Sequence, residues 1–158
     1  DNRTDFIKRL IGLPGDKIQF INGDLYINNS QILKTIKLKS DTVFCGNVIR
    51  KVATYEETLP NKKKYYASYS LDNSYKDRDF INSDKFIVPE DHYFFLGDNR
   101  DCSRDSRYLS SVGYVKKSNL VGKANIIFFS NDTISGSFLK FWNWKNSLRI
   151  ERFFKILK

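Results

Sequence analysis

Lys17-Ile18-Gln19-Phe20-Ile21-Asn22-Gly23-Asp24-Leu25-Tyr26-Ile27-Asn28 reads as two short strands, Lys17 to Ile21 and Asp24 to Asn28, on either side of Asn22-Gly23. Asn and Gly both tolerate the positive φ that a two-residue hairpin turn demands of its central pair. Towards the N-terminus, Phe6 to Ile11 reads as a further strand. Leu13-Pro14-Gly15-Asp16 ends it, because Pro followed by Gly suits a type II turn. Towards the C-terminus, strands are expected at Ile32 to Leu38, Val48 to Tyr55, Lys64 to Ser70, Phe86 to Val88, Tyr93 to Leu96 and Ala124 to Phe129. No long helical period appears before the C-terminal tail. The expected fold is therefore mainly β, built of antiparallel sheets with few short helices. Residues 1–24 and 86–135 read as the two parts of a β core. Residues 25–85, polar and rich in Lys and Asn over most of their length, read as an inserted β subdomain, and 136–158 as a basic aromatic tail.

With 158 residues, 41% hydrophobic and 15% aromatic, the chain suffices for one domain, or one domain with a subdomain, and a real core. No stretch approaches the roughly 18 to 20 apolar residues of a spanning helix. The sequence contains no Met, so Asp1 is not expected to be the natural start of the protein.

The net charge is +9, from 27 Lys plus Arg against 18 Asp plus Glu. Such a balance suggests nucleic acid, anionic lipid or an acidic partner. Six basic residues lie in 138–158 (Lys140, Lys145, Arg149, Arg152, Lys155 and Lys158) against Glu151 alone. Phe138, Phe141, Trp142, Trp144, Phe153 and Phe154 share that segment. Placed on a helix, Ile150, Phe153, Phe154 and Leu157 make one apolar stripe. A basic aromatic segment of this kind lies well at a membrane surface, and equally docks on a core as an ordinary terminal helix. No recognisable nucleic-acid-binding motif accompanies the charge, so no nucleic-acid partner is expected.

Cys45 and Cys102 could form one disulfide, but two cysteines so far apart predict no pairing by themselves. His92 is the sole histidine, which leaves no Cys/His metal site. His92 itself sits in the apolar run His92-Tyr93-Phe94-Phe95-Leu96 and reads as a structural residue. Neither a metal nor a cofactor is expected.

Two segments carry chemistry. In Phe6-Ile7-Lys8-Arg9-Leu10-Ile11-Gly12-Leu13-Pro14-Gly15-Asp16, Lys8 shares a strand face with Phe6 and Leu10. Apolar neighbours disfavour the charged form of a lysine and allow it to accept a proton. The alternative is a side chain that snorkels to solvent from a strand edge. Gly97-Asp98-Asn99-Arg100-Asp101-Cys102-Ser103-Arg104-Asp105-Ser106-Arg107 packs three Asp and three Arg into eleven residues. That alternation suits a tight loop cross-linked by charge-assisted hydrogen bonds, or else a solvated turn.

Together the two segments resemble the lysine-bearing box and the last signature box of bacterial type I signal peptidases. Gly113-Tyr114-Val115 and Asn119-Leu120-Val121-Gly122-Lys123-Ala124 resemble the family's continuation. Cys102 stands where the family usually has Asn. The resemblance implies the antiparallel β fold of these enzymes, with its inserted β subdomain. It implies that Lys8 is the general base of a Ser/Lys dyad whose serine lies upstream of Asp1, in a Ser-Met box that follows a membrane anchor. Residues 1–158 alone are then expected to be inactive. Ser103 would orient the Lys8 amine, Asp105 would pair with Arg107 and Arg100 nearby, and Asp98 would pair with Arg9, while Gly97 opens the box. The implied substrates are secreted preproteins with small residues before the cut. The implied location is the bacterial cytoplasmic membrane, with this part on the outer face at the lipid surface. The rival reading is a non-catalytic basic β domain that binds anionic membrane or nucleic acid.

Overall fold

The computed structural model of the chain describes residues 5–46, 48–72, 80–130, 148 and 150–157. The chain divides after Leu120 into two compact units. In the first, the strands are β1 (Arg9–Gly12), β2 (Lys17–Ile21), β3 (Asp24–Ile27), β4 (Ser30–Gln31), β5 (Leu33–Cys45), β6 (Val48–Thr58), β7 (Lys64–Ser70), β8 (Phe86–Ile87), β9 (His92–Leu96) and β10 (Val115–Lys116). They form three antiparallel sheets, ordered β4-β3-β2-β8, β5-β6-β7 and β1-β9-β10.

The hairpin of β2 and β3 turns on Asn22 and Gly23, whose φ values are 52° and 78°. It sets Ile18 opposite Ile27 and Phe20 opposite Leu25. Those four side chains are buried, with Ile11, Ile32, Tyr65, Ala67, Phe86, Val88, Phe94 and Leu96 packed around them. This cluster draws residues from all three sheets, so one apolar core joins them. Before the hairpin, the Asp16 N–H donates to the Leu13 carbonyl at 3.0 Å across Pro14-Gly15, and the chain reverses there as Pro-Gly predicts.

The sheet β5-β6-β7 has a different character. Its thirteen-residue β5 is exposed over nearly its whole length, and two irregularities in its register with β6 fall between Ile36 and Asp41. Sequence propensity places the end of this strand at Leu38, but the cross-strand pairing continues to Cys45↔Val48. The partner strand carries the pattern on where the sequence of β5 turns polar.

Further differences from expectation lie at the start of β1 and in the second unit. β1 begins at Arg9, so Phe6, Ile7 and Lys8 precede it. In the second unit, β11 (Ile126–Ile127) pairs with β12 (Lys155–Ile156). The apolar stripe at Ile150, Phe153, Phe154 and Leu157 is not helical: a single 3-10 turn covers Ile150–Arg152, and Phe154 has a positive φ of 56°. The Phe154 N–H instead donates to the Ile127 carbonyl and the Leu157 N–H to the Asn125 carbonyl. A strand partner satisfies these backbone groups, which overrides a helical spacing of side chains. Phe138, Phe141, Trp142 and Trp144 lie outside the described residues.

Cys45 and Cys102 are bonded to each other, with their Cα atoms 5.6 Å apart and a sequence separation of 57. Closing a loop of this length restricts the unfolded chain by about 4 kcal/mol. Replacing both residues with Ser is expected to lower the unfolding free energy by about that amount, measured by urea titration under oxidising conditions. Under reducing conditions the wild-type chain should match the variant.

Candidate active site

β1 and β9 pair antiparallel with Arg9 opposite Leu96. One step further out, that register sets Lys8 against Gly97, the first residue of the charged loop. The Lys8 Nζ lies 2.8 Å from Ser103 Oγ, and the contact is partly buried. Gly97 is what permits the approach. A Cβ on Gly97 would stand 2.0 Å from Ser103 Oγ and 2.3 Å from its Cβ, distances that real atoms do not reach. Phe6 and Leu10, expected to bury Lys8, are themselves exposed, Phe6 at 75% and Leu10 at 41%. Lys8 is half-buried, and its amine rests against Ser103 of the charged loop.

The loop is built around Asp105, which has no exposed surface. Its Oδ2 accepts the Gly97 N–H at 2.9 Å. Arg107 donates to it through Nε at 2.8 Å and Nη2 at 2.9 Å. Arg107 Nη2 also donates to the Arg100 carbonyl at 2.5 Å. Ser106 exchanges two hydrogen bonds with the backbone of Phe95, donating its own N–H and accepting at Oγ. A planar guanidinium that grips both carboxylate oxygens holds a fixed orientation, so Asp105 tethers both the start of the loop and its end.

Arg9 and Asp98 form a second bidentate pair, at 2.7 and 2.9 Å, with the Arg9 guanidinium 4.4 Å above the Tyr65 ring. Its hydrogen bond to Asp98 outweighs burial and holds Arg9 above the usual arginine range.

Arg100 does not join Asp105 through its side chain. Its guanidinium points into the core and meets Glu57, with Nη2 2.6 Å from Oε2 and Nη1 3.3 Å from Oε1. Tyr65 and Tyr69 complete the cluster. Each hydroxyl accepts from Arg100, at 2.9 and 2.7 Å, and donates to Glu57. Arg100 and Glu57 are almost wholly buried. Burial raises Tyr65 and Tyr69 above the usual phenol range, so both keep the protons they donate. Burial opposes the charge on Arg100, but Tyr69, Glu57 and Tyr65 together more than offset it and raise Arg100.

Glu57, Tyr65 and Tyr69 were not legible as site residues from motif alone. The pairing register supplies the missing signal. Glu57 stands opposite Tyr65, and Tyr69 lies further along the same strand on the face of Tyr65 and Ala67. An acid on the inward face of such a strand pair requires a buried partner. His92 turns instead to backbone, with Nδ1 2.8 Å from the Glu90 carbonyl. Among the described residues, no three His, Cys, Asp or Glu side chains gather to hold a metal.

The family profile described as signal peptidase, peptidase S26, matches residues 1–129. This chain belongs to that family. Curated relatives include the signal peptidase I of Rickettsia prowazekii (strain Madrid E), 43% identical over 99% of this chain and 61% of the relative. The signal peptidase I of Rickettsia bellii (strain OSU 85-389) is 40% identical over 98% of this chain and 55% of the relative. The chain thus spans about three-fifths of the length of the curated relatives it matches. A signal peptidase I from Enterococcus faecalis V583 covers 74% of this chain with 80% of its own length, at 30% identity and a TM-score of 0.36. In this peptidase S26 chain the lysine-bearing segment and the charged loop meet through the Lys8–Ser103 hydrogen bond and the Arg9–Asp98 pair.

Three of the loop's six charged residues, Arg100, Asp105 and Arg107, are buried rather than solvated, and this has a measurable consequence. Removing one member of a buried ion pair strands the other and costs about 3 to 5 kcal/mol. Asp105→Asn and Arg107→Ala are each expected to destabilise the chain by about that amount. Arg104→Ala, at an exposed position of the same loop, should leave the melting temperature near wild type.

Proposed function

We propose that the protein containing this chain is a signal peptidase that cleaves signal peptides from secreted preproteins with a Ser/Lys dyad. Lys8 is its general base, and the nucleophilic serine is supplied from outside residues 1–158. The observation that carries the reading is the Lys8 Nζ to Ser103 Oγ contact of 2.8 Å, in a chain whose family is that of the signal peptidases. A general base must be held in hydrogen-bonding geometry before its basicity is of use. Ser103 orients the amine, and the loop clamped by Asp105 and Arg107 holds Ser103.

The Lys8 amine takes the proton from the serine hydroxyl as that oxygen attacks the scissile carbonyl. The resulting ammonium returns a proton to the leaving amine, and an acyl-serine remains. Water then attacks the acyl carbonyl with Lys8 accepting its proton. The bond to the serine oxygen breaks to release the new carboxyl group, and the Lys8 ammonium returns the proton to the serine. The substrate carries small residues before the cut and binds extended, as an added strand.

In the complete protein, Lys8→Ala is expected to abolish cleavage of a preprotein with an Ala-x-Ala site. Lys8→Arg should not restore it, since Arg stays charged and cannot act as a base. Residues 1–158 alone should show no turnover. Cleavage by the isolated segment, or by the Lys8→Ala complete protein, would refute the dyad.

The setting for this reaction is the bacterial cytoplasmic membrane, with the chain on its outer face against lipid. Within the second unit, Phe128 and Ile156 are exposed at 74% and 72%, and Lys155 is exposed on β12. Basic residues near an anionic surface contribute roughly 1 kcal/mol each and are screened by salt, whereas apolar insertion is not. Binding of residues 1–158 to anionic vesicles should weaken with salt without vanishing. Phe128→Ser with Ile156→Ser should remove the salt-resistant part. Unchanged co-sedimentation of that variant, or displacement from vesicles by duplex DNA, would count against a lipid surface.

A further inference from the structure

The Ser103 hydroxyl that meets Lys8 stands between two sets of anchors. On its C-terminal side, Asp105, Ser106 and Arg107 tie the loop to Gly97 and to β9. On its N-terminal side the loop is held by β5, β6 and β7. The Ser68 N–H donates to the Asp98 carbonyl at 2.7 Å, and the Arg100 N–H donates to the Ser68 carbonyl at 2.9 Å. The Ser70 N–H donates to Asp101 Oδ2 at 2.7 Å. Cys102 is bonded to Cys45.

Arg100 is the node of this second set. Its N–H is taken by β7, its carbonyl by Arg107, and its guanidinium by Glu57 with two tyrosine hydroxyls. Arg100 Nε is buried without a hydrogen-bond partner. A buried ion pair with an unsatisfied donor gives little stability that apolar side chains of the same volume would not give. What it does provide is a single orientation, because a planar fork fits a carboxylate and two hydroxyls in one way.

From this we propose that Glu57, with Tyr65 and Tyr69, is a positioning group of the active site, which holds Arg100 and through it the Ser103 hydroxyl at Lys8. The β5-β6-β7 sheet thereby acts on the chemistry from behind the loop, without touching substrate. The inference rests on the dyad reading above and extends it to residues outside both signature segments.

The test uses the complete protein and steady-state cleavage of a peptide with an Ala-x-Ala site. Glu57→Leu strands Arg100 and should lower both melting temperature and kcat. Glu57→Leu with Arg100→Met removes both charges and should recover the melting temperature. Positioning predicts that kcat in this double variant stays down by about ten- to a hundredfold, the loss expected when a reacting group is displaced by an ångström or less. KM should stay within about twofold, since no substrate contact is lost. A double variant that regains wild-type kcat along with its melting temperature would reduce the cluster to packing and overturn the proposal. Should the double variant not fold, Tyr65→Phe with Tyr69→Phe decides. It keeps the ion pair and drops both hydroxyls, so a lowered kcat at constant KM supports positioning and a wild-type kcat overturns it. Lys8→Ala separates the two levels. If that variant still cleaves, the dyad reading is at fault. If it is dead while both cluster variants turn over normally, the dyad stands and the cluster has no part in it.

Discussion

A carboxylate with no exposed surface has to be satisfied entirely by its neighbours, and the loop after β9 takes its shape from meeting that demand at Asp105. Asp105 takes the Gly97 N–H on one side and both arms of Arg107 on the other. Gly97 and Arg107 are thus both bound to a single group, and the eleven-residue loop that they delimit closes. Arg107, in turn, reaches back to the Arg100 carbonyl. The cost of an unpaired buried charge, several kcal/mol, makes this closure nearly all-or-none, and the Ser103 hydroxyl takes its position from it.

Closure alone does not bring Ser103 to Lys8. That depends on the antiparallel register of β1 with β9, which sets Lys8 against the position of Gly97, and on the lack of a side chain there. Register and glycine are coupled: slipping the pairing by one residue would turn each β1 side chain to the other face of the sheet. The apolar core that β1 and β9 share, with Ile11, Phe94 and Leu96 buried in it, resists such a slip. Packing in the core therefore governs a hydrogen bond that is only partly buried.

The loop also has a back wall. β7 lends it backbone hydrogen bonds at Ser68 and Ser70, β5 a disulfide at Cys45, and β6 a carboxylate at Glu57. Each tie comes from a different strand of one sheet. Much of that sheet is solvent-exposed, β5 above all, so its contribution to the core is smaller than its strand lengths imply. Its inward face is where it meets the rest of the unit, through Tyr65, Ala67 and the Glu57 cluster.

The hairpin at Asn22-Gly23 and the mainly antiparallel β class were legible in the sequence, because each depends on local backbone preference and patterning. The meeting of the two signature segments, by contrast, was implied by family resemblance alone. The C-terminal segment was not legible. Its helical spacing gave way to a strand pairing between Lys155–Ile156 and Ile126–Ile127, since backbone hydrogen bonds to a distant strand outweigh a local side-chain period. The same holds for the site. Sequence names Lys8, Ser103, Asp105 and Arg107 as chemically suggestive, but whether the charges of the loop are solvated or buried is a property of what covers them. Arg100 illustrates the limit most plainly. The family resemblance pairs it with the nearby Asp105, but the fold gives it Glu57, forty-three residues away. Residue types and their order determine which interactions are available. Only the tertiary structure decides which of them is made, because desolvation acts on groups brought together in space and takes no account of their separation along the chain.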